Sequence, residues 1–230
     1  GYDIADFLEE YTIEEALLLA NTEYVSKRVF VDDIKELIAK PKKPTPLLDS
    51  LYRIPKGVLG LVAGMGSVGK GYFLMWNMLR WVENYSVAYL SVEDPIEILE
   101  LRVEELGKKR QYVSRNKRLV FDPLDLGDPT LENLYDVILS YVSLGFEIII
   151  VDPISAFLEN EQNNSEVSKF MYHLQKLCRN QKVNIFLSHH TRKKQRGEQI
   201  NNKYDMLELI RGASALHSNA RFVWFLKRNA

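Results

Sequence analysis

The stretch that most constrains this chain is residues 58–73, which read VLGLVAGMGSVGKGYF. It opens as an apolar run typical of a buried strand, breaks into glycines, and resumes with helical spacing through Trp81. The glycines let backbone N–H groups approach an anion, and the following helix adds the positive end of its dipole. This is the phosphate-binding pattern G-x-x-x-x-G-K. The predicted nucleotide-binding residues are Gly64, Met65, Gly66, Ser67, Val68, Gly69, Lys70 and Gly71.

Gly71 departs from this motif, which ordinarily closes with a Ser or Thr whose hydroxyl contacts Mg²⁺. A glycine keeps phosphate binding but removes a side-chain oxygen, so we expect weakened Mg²⁺ coordination and a weak ATPase that Gly71→Ser improves. Ser67 or water are alternative sources of that oxygen. The structural alternative is a glycine-rich turn without nucleotide, against which the position of Lys70 argues.

The composition indicates a globular protein and excludes several classes. Of 230 residues, 46% are hydrophobic and 27% charged, and the net charge of −1 gives no global basic field, so nucleic-acid binding requires local patches. The single cysteine, Cys178, excludes an intrachain disulfide, and we expect a cytoplasmic protein, or a viral or mobile-element protein in the host cytoplasm. No apolar run is long enough to cross a bilayer, so no membrane partner is expected.

The chain divides into segments of different character. Residues 1–40 show helical spacing and predict a small helical appendage, and residues 41–46 form a proline-rich linker. From residue 47 to 230 strands and helices alternate, which predicts an α/β domain with a mainly parallel sheet flanked by helices. The abrupt end just after a strand indicates a domain truncated at its C-terminus.

Two carboxylates follow predicted strands at the sheet edge where ligands collect. Asp152 follows the four apolar residues 148–151 at a predicted strand end, a position suited to holding Mg²⁺ beside phosphates; the alternative is a carboxylate capping the turn before Pro153. Glu93 follows the strand 89–92 and is the predicted general base that orients water. Its neighbour Asp94 fits a helix N-terminal acid better.

Further polar groups follow the strand 183–188. His189 and His190 point to opposite faces of an extended chain, and His190 is the predicted γ-phosphate sensor, with a plain polar strand end as the alternative. A basic loop comes next and predicts contact with a nucleic-acid backbone, the alternative being a solvated surface. Its candidate DNA-binding residues are Arg192, Lys193, Lys194 and Arg196. Arg211 is either an ordinary ion-pair residue or an arginine finger for a neighbouring subunit.

Taken in order, these motifs resemble the RecA-like ATPase domain of hexameric replicative helicases of the plasmid type. The resemblance covers residues 57–226 and rests on Gly64–Lys70, Tyr89–Pro95, Ile148–Pro153, Asn163–Ser165, Phe186–Thr191 and Arg211–Leu216. It implies a P-loop lysine at Lys70, a catalytic glutamate at Glu93, a Mg²⁺-associated aspartate at Asp152, a sensor at His190 and an arginine finger at Arg211. Gly71 departs from the family pattern.

The resemblance implies a motor that uses ATP, or another NTP, with Mg²⁺. It would assemble into a ring, most simply a hexamer, and translocate on single-stranded DNA. Residues 3–8 are similar to the end of a toprim-type primase domain, which implies a primase module on the same polypeptide; an ordinary helical appendage is the alternative. A recombination-type ATPase that forms filaments and a non-catalytic nucleotide-binding assembly module are the rival functions.

Overall fold

A central six-stranded sheet organises the structure, a computed structural model that describes residues 46–108, 118–126, 129–158, 164–192, 203–210 and 214–227. Its strands are β3 (Leu59–Gly64), β4 (Val87–Ser91), β5 (Leu119–Pro123), β6 (Ile148–Asp152), β7 (Asn184–His190) and β8 (Phe222–Leu226). Their order across the sheet is β5-β4-β6-β7-β3-β8, and every neighbouring pair is parallel. The carboxyl ends of all six strands therefore meet at one edge.

Helices cover both faces of this sheet, and its four central strands bury side chains on both sides. The helices are α1 (Lys70–Trp81), α2 (Ile96–Lys108), α3 (Leu131–Ser143), α4 (Asn164–Gln181), α5 (Lys203–Glu208) and α6 (Ala215–Asn219), with a 3₁₀ turn at Ile154–Phe157. One core cluster joins the sheet to α3, α4 and α6, and the other joins it to α1 and α2. Burial on both faces explains why the strands are continuously apolar rather than alternating.

The alternation of β6 shows how the two clusters are built. Ile149 and Val151 pack in the cluster with α3 and α4, whereas Ile148 and Ile150 pack in the cluster with α1. Because side chains alternate along a strand, Asp152 follows Ile150 onto the α1 face. The sheet thus delivers a carboxylate beside the start of α1.

A small two-stranded antiparallel sheet precedes β3 and consists of β1 (Leu47–Asp49) and β2 (Ile54–Pro55). Asp49 is buried and joins this sheet to α1. Its Oδ2 accepts a hydrogen bond from Trp81 Nε1 at 2.7 Å and lies 3.1 Å from Arg80 Nη1, while Oδ1 accepts the backbone N–H of Leu51 at 2.8 Å. Sequence patterning did not predict this attachment.

The predicted α/β class with a parallel sheet flanked by helices is confirmed. The predicted appendage (residues 1–40), residues 41–45 of the linker, Lys193, Lys194, Arg196 and Arg211 lie outside the described residues. None of the helices in the described part has the length and apolar character needed to cross a bilayer.

Candidate nucleotide-binding site

The predicted phosphate-binding loop joins β3 to α1, as the motif requires. Gly69 immediately precedes α1 with φ 94° and ψ 23°, a left-handed conformation that glycine adopts without steric cost. Helix α1 begins at Lys70, so its first-turn N–H groups, which have no acceptor within the helix, lie directly after the loop. The helix start and its dipole favour an anion at this end.

Lys70 is buried against the loop that precedes it. Its ammonium donates hydrogen bonds to the carbonyl oxygens of Gly64 and Met65, both at 3.0 Å, and its Nζ lies 3.1 Å from Nδ1 of His190. Burial lowers the pKa of Lys70, and the nearby carboxylates of Asp152 and Glu93 partly oppose that effect. A cation is thus held at the centre of the loop with carboxylates close by.

His190 lies between Lys70 and Glu93. Because an ammonium can only donate, Nδ1 of His190 must accept from Lys70, which assigns the ring proton to Nε2. That Nε2 lies 3.5 Å from Oε1 of Glu93. The Glu93 side chain is 60% exposed, so water reaches the carboxylate that was predicted to act as general base. His190 at the end of β7 and Glu93 just beyond β4 are therefore brought together, although β4 and β7 are not neighbours in the sheet.

Asp152 is held from both sides by hydroxyl groups. The Tyr89 hydroxyl donates to Oδ2 and the Ser188 hydroxyl donates to Oδ1. Tyr89 belongs to β4 and Ser188 to β7, the two strands that flank β6. Burial, and then the Asp152 charge, raise the pKa of Tyr89 well above its usual value, so its hydroxyl stays protonated. Neither the Tyr89 nor the Ser188 hydroxyl was predicted as part of the site.

The donor set around Asp152 fits magnesium. Mg²⁺ prefers oxygen ligands and is commonly bound by one or two carboxylates together with substrate phosphates. Within the described ranges no group of three or more His, Cys, Asp or Glu side chains could hold a metal ion by itself. A Cβ placed on Gly71 would lie 3.0 Å from Asp152 Oδ2, so residue 71 does stand beside this carboxylate.

Asp94 binds Arg102 rather than serving the site directly. Its two carboxylate oxygens accept hydrogen bonds from Nη1 and Nη2 of Arg102, the second at 3.1 Å. Arg102 belongs to α2, and its Nη1 would lie 3.6 Å from a Cβ on Gly71. Arg102 was not predicted as a site residue. The signal for it in the sequence is an acid just before a helix start and a basic residue within that helix.

Of the predicted DNA-binding residues the structure describes Arg192. It follows β7 at the same edge of the sheet as Asp152, and its backbone N–H donates to the carbonyl of Leu209 at 2.8 Å. Lys193, Lys194 and Arg196, together with the predicted arginine finger Arg211, lie beyond the described ranges. Their roles stay predictions.

Two solved structures illustrate what this chain is similar to. One is described as an ATPase domain and matches with 15% identity and a TM-score of 0.57, over 94% of this chain and 84% of that one. The other, a KaiC-like protein from the hyperthermophilic archaeon Pyrococcus horikoshii OT3, matches with 15% identity and a TM-score of 0.48, over 75% of this chain and 73% of that one. No curated protein matches the chain at a significant level. The fold is that of RecA-like P-loop NTPases, as expected.

A family model described as an AAA domain matches residues 22–196, which is well over half of the chain. This match includes the phosphate-binding loop, Glu93, Asp152 and His190. The P-loop geometry, the fold and the family model agree on a RecA-like P-loop ATPase domain. The chain belongs to the AAA domain family.

Proposed function

We propose that this domain is the motor of a replicative DNA helicase. It binds ATP between the subunits of a ring, most simply a hexamer, and couples hydrolysis to translocation on single-stranded DNA. The observation that carries the proposal is the series of contacts from Lys70 through His190 to Glu93 beside Asp152. These contacts support a site in which the His190 side chain links Lys70, which binds the phosphates, to Glu93, which activates water.

Each residue has a defined part in the hydrolysis. Lys70 and the loop N–H groups bind and neutralise the phosphates, so that charge developing during phosphoryl transfer is already compensated. Glu93 orients the attacking water and accepts its proton. His190 contacts both groups and therefore reports the state of the phosphates to the base. Asp152 would hold Mg²⁺, which neutralises phosphate charge when bound. Arg211 of a neighbouring subunit is the proposed arginine finger.

Contact with DNA is assigned to the basic loop that begins at Arg192 and includes Lys193, Lys194 and Arg196. The loop follows β7, whose last residue is His190, so a shift at the phosphates can reach it through one strand end. Backbone contacts of this kind weaken steeply with salt. A primase module on the same polypeptide stays a prediction from residues 3–8.

The decisive experiment measures ATPase activity with and without single-stranded DNA, together with the mass of the assembly in solution. Wild type is expected to form a closed ring and to hydrolyse ATP faster with DNA, whereas Lys70→Ala is inactive. The matched control is Lys176→Ala, which removes an exposed lysine from α4. Full ATPase activity in Lys70→Ala would refute the assignment.

Other results would select a rival function. Open filaments with strand-exchange activity would favour a recombination-type ATPase. Nucleotide binding without turnover in wild type would favour a non-catalytic assembly module, for which the glycine at position 71 is the supporting feature.

A further inference from the structure

Gly71 has no side chain, and three side chains surround the position that a Cβ would take. A Cβ placed there would lie 3.0 Å from Asp152 Oδ2, 3.6 Å from Arg102 Nη1 and 3.7 Å from the Tyr89 hydroxyl. The hydroxyl of a Ser or Thr extends one bond beyond Cβ. It would therefore compete for the region that the Asp152 carboxylate and the Tyr89 hydroxyl already occupy.

The Tyr89 hydroxyl contacts the same carboxylate oxygen, Asp152 Oδ2, that a side chain at position 71 would face. It comes from the middle of β4 rather than from the start of α1, and it donates to the carboxylate oxygen nearest Gly71. The other carboxylate oxygen is bound by Ser188. Tyr89 and Ser188 are fully buried, and their hydroxyls hold a carboxylate that is itself half-buried.

We propose that Tyr89 compensates for Gly71: its hydroxyl takes the place of the missing Ser or Thr hydroxyl and holds Asp152 in position for the Mg²⁺ that accompanies the nucleotide. Tyr89 is thus a positioning residue that acts through Asp152, the side chain that a Cβ at position 71 would crowd. The inference rests on the proposed nucleotide site at Gly64–Lys70. It replaces the expectation that Gly71→Ser alone improves the site, because that side chain enters an occupied region.

A purely structural role for the Tyr89 hydroxyl makes a different prediction. Buried tyrosine hydroxyls usually find a partner, and a second tyrosine of this chain does so away from the site: Tyr141 donates to Asp122 Oδ2 at 2.7 Å. Removing either hydroxyl affects stability. Only removal of the Tyr89 hydroxyl is expected to change the Mg²⁺ concentration that nucleotide binding requires.

The test is a cycle of variants in which Mg²⁺-dependent binding of a fluorescent, non-hydrolysable ATP analogue is measured. Substitution of an outer-shell partner typically costs about 10–100-fold in metal affinity, so Tyr89→Phe is expected to raise the half-saturating Mg²⁺ concentration by at least about tenfold. Gly71→Ser alone gives no improvement over wild type. The double variant Y89F/G71S regains most of the loss, because the new hydroxyl enters the vacated position. Tyr141→Phe is the matched control and leaves the Mg²⁺ dependence unchanged.

The outcomes separate this inference from the proposed function. Wild type that binds no nucleotide with or without Mg²⁺ overturns both. Wild type that binds nucleotide, with an unchanged Mg²⁺ requirement in Tyr89→Phe or no recovery in the double variant, overturns the inference alone. If Tyr89→Phe does not fold, Gly71→Ala decides: its methyl crowds Asp152 and is expected to raise the Mg²⁺ requirement, and an unchanged requirement overturns the inference.

Discussion

Nζ of Lys70 lies 3.1 Å from Nδ1 of His190, so the imidazole accepts from the ammonium and carries its own proton on the far nitrogen. That far nitrogen is directed at Glu93, at 3.5 Å. A phosphate that draws the Lys70 ammonium away would remove the hydrogen bond to His190. Because His190 also contacts Glu93, the proposed base would respond to the same ligand. Substitutions of Lys70, His190 and Glu93 are therefore expected to affect nucleotide binding and hydrolysis differently.

His190→Ala is expected to reduce turnover far more than nucleotide affinity. Lys70 keeps its carbonyl contacts in this variant, so phosphate binding persists, but the link to Glu93 is removed. We expect kcat to fall by about 10–100-fold, a loss of about 1.4–2.8 kcal/mol of transition-state stabilisation. Steady-state kinetics and nucleotide titration measure the two effects. His217→Ala, on α6, is the control, and an equal loss of affinity and kcat would contradict the sensor role.

Glu93→Gln is expected to bind nucleotide normally and to hydrolyse it very slowly. The amide keeps the size of the side chain but cannot accept a proton, and general-base catalysis typically contributes about 10²–10⁴-fold. Single-turnover kinetics with bound ATP gives the chemical rate directly. Glu97→Gln, an exposed acid in the first turn of α2, should behave as wild type. Hydrolysis at the wild-type rate would assign the base to another group.

Lys70→Met is expected to abolish nucleotide binding and to raise the melting temperature of the nucleotide-free protein. Burial lowers the pKa of Lys70, so the folded protein binds this proton less well than the unfolded chain does. Between the lowered pKa of the folded protein and the ordinary lysine pKa of 10.5, the stability of the wild type rises with pH. The difference in melting temperature between the variant and the wild type therefore becomes smaller in that pH range. Thermal unfolding at several pH values tests this. A lower melting temperature at pH 7 would mean that the contacts to Gly64 and Met65 outweigh desolvation.

Asp49→Asn is expected to destabilise the protein in a pH-dependent way. Burial raises the pKa of Asp49, but hydrogen bonds from Trp81 and the Tyr52 N–H and the charge of Arg80 outweigh it and lower the pKa. The charged carboxylate therefore stabilises the fold above the usual carboxyl pKa. Loss of such bonds costs about 1–3 kcal/mol at pH 7. Urea unfolding should show this difference and its decline as the pH falls below about 4. A difference that does not change with pH would exclude the charge as its cause.

Cys178 should react with thiol reagents only when the protein unfolds. It is the single cysteine of the chain, its side chain is buried on α4, and burial raises its pKa to about 12. Since the thiolate is the reactive form, both access and ionisation are suppressed. The labelling rate in increasing urea should follow the global unfolding curve. Fast labelling in native buffer would show that α4 detaches locally from the sheet.

Local motifs explain what could be predicted from the sequence. The loop Gly64–Lys70, the strand end at Asp152 and the polar positions Glu93 and His190 are each recognisable within a few residues. The alternation of strands and helices then implies a parallel sheet, whose carboxyl ends share one edge. Strand alternation also predicts that His189 is buried while His190 is partly exposed.

Contacts between strands distant in sequence were not predictable in the same way. Tyr89 and Ser188 contact Asp152 only because β4 and β7 flank β6 with one particular register, and neither strand order nor register is encoded locally. The guanidinium of Arg102 likewise reaches the region of Gly71 through the packing of α2 against α1. Position 71 was recognised as unusual, but the neighbours that fill its space became known only from the structure.

The two hydroxyl bonds to Asp152 affect how mutants of this residue should be interpreted. Asp152→Ala would strand two buried donors, Tyr89 and Ser188, so a loss of activity in that variant would mix misfolding with loss of the proposed metal ligand. Asp152→Asn keeps one oxygen and the shape of the side chain, and it is the more informative substitution. Glu93, the proposed base, is exposed, so we expect its substitution to disturb the fold less than substitution of the aspartate.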